Sequence, residues 1–264
     1  YYNCERQLST FADIIDILLK QKESFFVKQA GDSFQGRGVT FVDVQSLVHP
    51  LSSIIKSYGD DFVIQKAVEQ SPQTAQLNPT SLKCFRVTSL LINNKCTTHN
   101  VCLKIGGGGS NVDNLGLDCG GVIVGVGLKD GEFGKLKEVG YDVHLNQLNS
   151  SAVGFKFGGL VIDGFAKVVN MALDMHTRIP NCAICGWDIA LDKNEEPVLI
   201  EANLNCPGVF VEQLCSGPAF GDRTSEVIEY LKIKKDVLKQ IYWEINCKIN
   251  DLLLLAICKA KHVM

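Results

Sequence analysis

Apolar residues recur at Leu8, Phe11, Ile14, Ile15, Leu18 and Leu19, a spacing that predicts an amphipathic helix over 8–22. Phe25-Phe26-Val27-Lys28-Gln29 then has strand character, and the polar, glycine-bearing stretch from Gly31 to Gly38 leads into the β-branched run Val39 to Val44. Strand, glycine loop and strand make a flap. A Walker loop ends Gly-Lys-Ser/Thr before a helix, and a dinucleotide fingerprint also opens a helix; this loop does neither. Leu47 to Tyr58 is helix-like. Asp61 to Val68 reads as a short strand that changes character at Gln65, as a connector between two lobes does.

Leu82 to Ile92 and Cys96 to Ile105 flank Asn93-Asn94-Lys95 as a hairpin, with Arg86 and Lys104 roughly across it. A glycine-rich passage holding Asn114 precedes the apolar strand Val122 to Val126. Helical spacing resumes over 160–175, and Val227, Leu231, Leu238, Ile241, Ile245, Ile249 and Leu252 mark a long amphipathic helix or helix pair. The most informative stretch is GWDIALDKNEEPVLIEANLNCPG, residues 186–208. Its two apolar runs pair about the turn Asp192 to Glu196, which sets Asp188 nearly opposite Glu201, with Asn203 on the same face. Carboxylates facing each other at about 4.5–5.5 Å repel unless a positive charge joins them. An oxygen-only set of two acids and one carboxamide suits magnesium.

Composition narrows the choice of partners. The net charge of −3 argues against a nucleic-acid surface. The longest apolar run, Leu252 to Ile257, is far short of the ~18 residues that mark a membrane span. Most of the 11 cysteines sit in apolar runs, so they read as reduced, buried thiols of a cytoplasmic protein. Cys182-Ala183-Ile184-Cys185 has redox or half-zinc spacing but no second pair, and a structural role is expected. The chain opens Tyr1-Tyr2-Asn3 without an initiator Met, so its natural start is expected to lie elsewhere.

The order of Lys28, the flap with Arg37, Gln65, the Arg86/Lys104 pair, Asn114 and the acidic hairpin resembles the ATP-grasp superfamily over about residues 10–215. Within it the chain is similar to the sugar-transfer-associated, glutamate-ligase-related group. The segments that carry this likeness are IQKAVEQSPQTAQLNPTSLKCFRVTSLL and GWDIALDKNEEPVLIEANLNCPG. The resemblance implies an α+β fold in which two lobes with antiparallel sheets hold ATP: a small lobe over 1–65, a large lobe over 66–230 and a helical extension over 231–264. It implies that Lys28, Gln35, Gly36, Arg37 and Gly38 contact ATP phosphates. Gln65, Lys66 and Val68 would meet the adenine edge through the main chain, with Glu69 or Gln70 near the ribose. Asp188, Glu201 and Asn203 would hold magnesium, and Arg86, Lys104 and Asn114 would lie beside the transferred phosphoryl group. Cys84 and Lys104 depart from the group's usual residues.

The reaction implied is ATP-dependent carboxylate–amine ligation through an acylphosphate, on small-molecule substrates, in cell-surface polysaccharide or peptide modification. Such chemistry needs positioning and charge neutralisation rather than a protein nucleophile. Two other readings fit the same scaffold. One is a sugar or polyol kinase, which needs a base such as Asp142, His144 or Asp163 near the γ-phosphate. The other is a non-catalytic ATP-binding protein.

Overall fold

The computed structural model describes residues 7–30, 38–43, 51–109, 120–204, 208–237 and 239–240. Helix α1 (Phe11–Gln21) starts at Thr10, whose side chain accepts from the Asp13 amide while Asp13 caps back onto Thr10. That reciprocal box satisfies two donors a helix start otherwise leaves unpaired. Next come β1 (Phe25–Gln29), β2 (Val39–Val42), α2 (Leu51–Lys56) and β3 (Phe62–Lys66). They form an antiparallel sheet in the order β2-β1-β3. Phe25 and Val27 of β1 turn into a core with Leu18, Val42, Leu51 and Ile55. Alternation therefore places Phe26 and Lys28 on the other face, where Phe26 lies 5.2 Å from Phe41, centroid to centroid.

A seven-stranded antiparallel sheet follows, in the order β10-β9-β4-β5-β6-β7-β8. Its strands are β4 (Cys84–Ile92), β5 (Lys95–Ile105), β6 (Val122–Val126), β7 (Leu136–Asp142), β8 (Gln147–Leu148), β9 (Ile184–Leu191) and β10 (Pro197–Asn203). Asn93 and Asn94, at φ 53° and 60°, close the β4–β5 hairpin. Consecutive left-handed residues match the twist of the strands, and asparagine tolerates that region. Phe85, Val87, Val101, Leu103, Val124, Trp187 and Ile189 pack on one side against Phe165, Val168 and Ala172 of helix α4 (Phe165–Thr177). Each valine, leucine, isoleucine or phenylalanine among them contributes about 1.5–3 kcal/mol on leaving water. The helical spacing predicted from residue 160 begins only at Phe165. Gly164 is the N-cap at φ 74°, and a Cβ there would meet the Glu195 carbonyl at 2.9 Å.

The connector after β3 forms the short helix α3 (Pro72–Ala75), N-capped by Ser71. It is tied to the β9–β10 turn by the Ser71 amide donating to the Leu191 carbonyl at 3.0 Å and by Lys193 pairing with Glu69 at 2.9 Å. Helix α5 (Val209–Ser216) covers part of the second sheet face. Among the described residues, a helix over 224–237 packs Val227 and Tyr230 against Leu90 and Ile92. Arg223 anchors it, donating to Glu226, the Thr97 hydroxyl and the Ile92 carbonyl. Among the described residues no helix is long and apolar enough to cross a membrane.

Candidate functional site

Because the core takes Phe85, Val87, Leu103, Trp187 and Ile189, the alternate positions of the same strands face the other way. Their register makes a row across five strands. Glu201 of β10 is opposite Asp188 of β9, Asp188 opposite Arg86 of β4, Arg86 opposite Cys102 of β5, and Cys102 opposite Gly125 of β6. Asn203 pairs with Gly186, and Lys104 with Cys84, in the flanking rows. The hairpin expectation for Asp188 and Glu201 thus agrees with the register. Arg86 and Lys104 stand diagonally, two positions apart.

Asp188 is the centre of charge. Its side chain is 3% exposed, and the Arg86 and Lys104 side chains are 17% and 12% exposed. Arg86 donates through Nε to Oδ1 at 2.6 Å and through Nη2 to Oδ2 at 2.9 Å, while Lys104 donates to Oδ2 at 3.1 Å. Burial alone would raise the Asp188 pKa; Arg86 and Lys104 outweigh it and hold the carboxyl below its ordinary range. Burial works against the Arg86 charge as well, and the Asp188 carboxylate overcomes it and raises the guanidinium's pKa. Asp188 therefore has its counter-charge from the β4 and β5 side of the sheet, on the side away from Glu201.

The remaining donors suit a hard cation. A carboxylate offers about four lone-pair sites, and three of those on Asp188 accept the bonds just described. Glu201 is exposed, and the Asn203 Nδ2 is buried without a hydrogen-bond partner. An amide that turns over presents its oxygen in place of that nitrogen. Two carboxylates and one amide make an oxygen-donor set, which fits magnesium and no thiophilic metal. Among the described residues no group of three or more His, Cys, Asp or Glu is arranged to hold a metal ion, Cys182 and Cys185 included.

In the small sheet, Lys28 of β1 donates to the Gln65 Oε1 of β3 at 2.6 Å, so two of the expected nucleotide contacts adjoin. Lys66 is exposed and pairs with Glu23 at 2.5 Å, and Val68 is half-buried just beyond β3. Gln70 turns inward, donating to the Pro79 carbonyl at 3.1 Å and accepting from Lys83 at 3.1 Å. Gly38 has φ 68°. Gln35, Gly36, Arg37 and Asn114 lie outside the described residues.

Three arrangements were not apparent from sequence. Buried Glu212 of α5 accepts from the Thr88 hydroxyl, and burial pushes its carboxyl up to about 8. Asn78 donates to the Gly106 and Gly107 carbonyls at 2.8 and 2.9 Å, fixing the start of the glycine-rich passage. Its Asn-Pro turn was the available signal. Ser89 meets His176 Nδ1 at 2.7 Å, a pairing that looks like a nucleophile and its base. Both residues are fully buried, and His176 Nε2 lies 3.0 Å from the Cys182 carbonyl, which can only accept. Nε2 therefore carries the proton, Nδ1 accepts from Ser89, and Ser89 accepts from Trp187 at 2.7 Å. This is a satisfied core network. His144 is exposed.

The sugar-transfer associated ATP-grasp family matches residues 12–229. No curated protein matches. Among solved structures, D-alanyl-alanine synthetase A from Vibrio cholerae O1 biovar eltor is 14% identical at a TM-score of 0.42, over 83% of this chain and 55% of its own. L-amino acid ligase from Bacillus licheniformis is 13% identical at 0.40, over 78% of this chain and 46% of its own. Carboxyaminoimidazole ribonucleotide synthase from Aspergillus clavatus, complexed with ATP, is 11% identical at 0.39, over 74% and 37%. The chain thus spans about half or less of these proteins' length.

Proposed function

Since the chain belongs to the sugar-transfer associated ATP-grasp family, we propose that it is an ATP-dependent carboxylate–amine ligase whose reaction is organised by the row Glu201, Asp188 and Arg86 with Lys104 beside it. That row carries the reading. It sets two half-buried cations against one buried carboxylate and leaves an exposed carboxylate and an unpaired amide at the sheet edge. A polyphosphate and its counter-ion need this alternation of fixed charge.

In the proposed reaction a substrate carboxylate oxygen attacks the γ-phosphorus of ATP and ADP leaves. An amine then attacks the acyl carbon; phosphate departs with that oxygen, and the amine loses a proton. Arg86 and Lys104 lie beside the phosphoryl group and neutralise charge that shifts onto its oxygens, at a cost already met by folding. Lys28, held by Gln65, binds nucleotide phosphate. Gln35, Gly36, Arg37 and Gly38 contact the same phosphates, and the chain at Gln65, Lys66 and Val68 meets the base. Asn114 belongs with Arg86 and Lys104. Asp188, Glu201 and Asn203 would hold magnesium, which when bound offsets phosphate charge.

The test is ATP turnover with panels of carboxylates and amines, with and without hydroxylamine. Ligation predicts phosphate release that needs both substrates, and a hydroxamate when hydroxylamine replaces the amine. Phosphate retained on a hydroxyl acceptor identifies a kinase instead, and ATP binding without turnover leaves a binding protein. Arg86→Ala is expected to lower turnover far more than ATP affinity, and Glu201→Gln to weaken magnesium-dependent ATP binding seen by calorimetry. Unchanged affinity in Glu201→Gln and after chelation removes the metal assignment.

A further inference from the structure

Arg86 has three guanidinium nitrogens, and Asp188 takes two of them. The third, Nη1, lies against the start of α5. A Cβ added at Gly208, the N-cap of that helix, would stand 2.4 Å from Nη1 and 3.7 Å from Cζ. No side chain fits there while the guanidinium keeps its place. Gly208 is also left-handed, at φ 78°, a conformation that glycine adopts without steric cost.

Helix α5 is fastened to the sheet from Glu212 onward, and it carries Gly208 at its start. Glu212 accepts from Thr88, two residues along β4 from Arg86 and on the same face. Lys137 donates to the Cys215 carbonyl at 2.6 Å, and Ser216 donates to the Val101 carbonyl at 3.4 Å. Asn100 donates to the Pro218 carbonyl at 3.2 Å. The sheet makes room for this contact, because a Cβ at Gly125 would meet the Cys215 carbonyl at 2.9 Å. Both approaches fall on the row that bears Asp188 and Arg86.

We propose that Gly208 is a positioning residue: with α5 clamped to the sheet, its missing side chain leaves the slot in which Arg86 lies with two nitrogens on Asp188. The slot is defined by geometry alone. Its consequence for turnover rests on the ligase reading, and for that reason the experiment has an arm independent of activity.

The full chain, labelled with nitrogen-15, is compared with Gly208→Ala and with Gly154→Ala. Gly154 has a similar φ of 81° but nothing within 4 Å of an added Cβ, so it carries the backbone strain without the clash. The Arg86 Nε–H resonance is identified by its loss in Arg86→Lys. It is expected to shift and to exchange with solvent at least about tenfold faster in Gly208→Ala, because one misplaced methyl breaks the aligned bond to Asp188. Gly154→Ala is expected to leave it unchanged. Turnover is expected to fall up to about 100-fold in Gly208→Ala with the KM for ATP little altered, as about 1 Å of misplacement can produce. In an Arg86→Lys background, which removes Nη1, adding Gly208→Ala is expected to change turnover less than about threefold.

An Arg86 resonance unmoved in folded Gly208→Ala overturns the proposal. If Gly208→Ala does not fold, Arg86→Lys is expected to rescue it; a double variant that is equally unfolded assigns the defect to backbone strain and also overturns the proposal. Absence of ATP turnover in the parent chain counts against the ligase reading alone, because the resonance and rescue results still decide the role of Gly208.

Discussion

Replacing Asp188 by Asn removes one negative charge and leaves the surrounding shape nearly intact. Three charge-assisted hydrogen bonds, at 2.6, 2.9 and 3.1 Å, converge on this carboxylate, and the three side chains are no more than 17% exposed. Asn retains one acceptor oxygen and turns an NH2 toward donors, so at least one cation loses its partner. Removing one member of a buried ion pair costs about 3–5 kcal/mol, mostly through the charge left behind. The partial exposure of Arg86 and Lys104 argues for the lower end, about 3 kcal/mol. Urea unfolding followed by Trp187 fluorescence, in a Trp243→Phe background, reads this directly, since Trp187 is buried on the neighbouring position of β9. The control exchanges all three residues for apolar ones (Asp188→Leu, Arg86→Met, Lys104→Met), which should cost far less because no charge is stranded. The sign with pH also follows. The folded carboxyl lies below its ordinary 3.8, so its stabilisation is present above that pH and is lost as pH falls through the folded value. Asp188→Asn should flatten this acid limb. A loss under about 1 kcal/mol at unchanged m-value would refute the assignment of Asp188 as the counter-ion on which both cations depend.

Glu212 gives the opposite slope: with its carboxyl raised by burial from 4.5 to about 8, the folded state holds a proton the unfolded chain releases. Stability should therefore fall as pH rises between those values, by on the order of 5 kcal/mol in total, and Glu212→Gln should remove that slope; an unchanged slope in pH-dependent urea titrations refutes it. Asn78→Ala strips the Gly106 and Gly107 carbonyls of their donor and should cost about 2–4 kcal/mol, while amide exchange over 106–109 accelerates; equal exchange in both proteins counts against the staple. Lys28→Ala should weaken ATP binding by about tenfold in calorimetry, the loss of one charge-assisted contact, and a mutant that binds as tightly as the parent takes Lys28 out of the nucleotide site.

Local pattern determined a good part of this protein. Period-two alternation and turn chemistry located Phe25–Gln29, Val122–Val126 and the Asn93-Asn94 hairpin, because strand register within a hairpin depends on neighbours in sequence. They also brought Asp188 near Glu201, although the pairing itself rests on a register shift between Leu199 and Glu201 that the turn does not encode. The long-range motif order pointed to the family that matches residues 12–229. Strands β7 and β8 and helix α5 escaped notice: β7 has only Leu136 and Gly140 buried, and β8 is a two-residue edge, so neither carries a strong apolar signal.

Only tertiary structure decided what neutralises Asp188. Sequence showed facing acids and called for a positive charge, yet Arg86 is 102 residues and Lys104 84 residues away along the chain. Their meeting depends on β4 lying between β9 and β5 in the sheet, a matter of strand order that no local periodicity encodes. The same holds for Gly208 against Arg86 and Thr88 against Glu212. A contact between distant segments is set by which buried faces pack together, and residues such as these carry no mark of their partner until the core has closed.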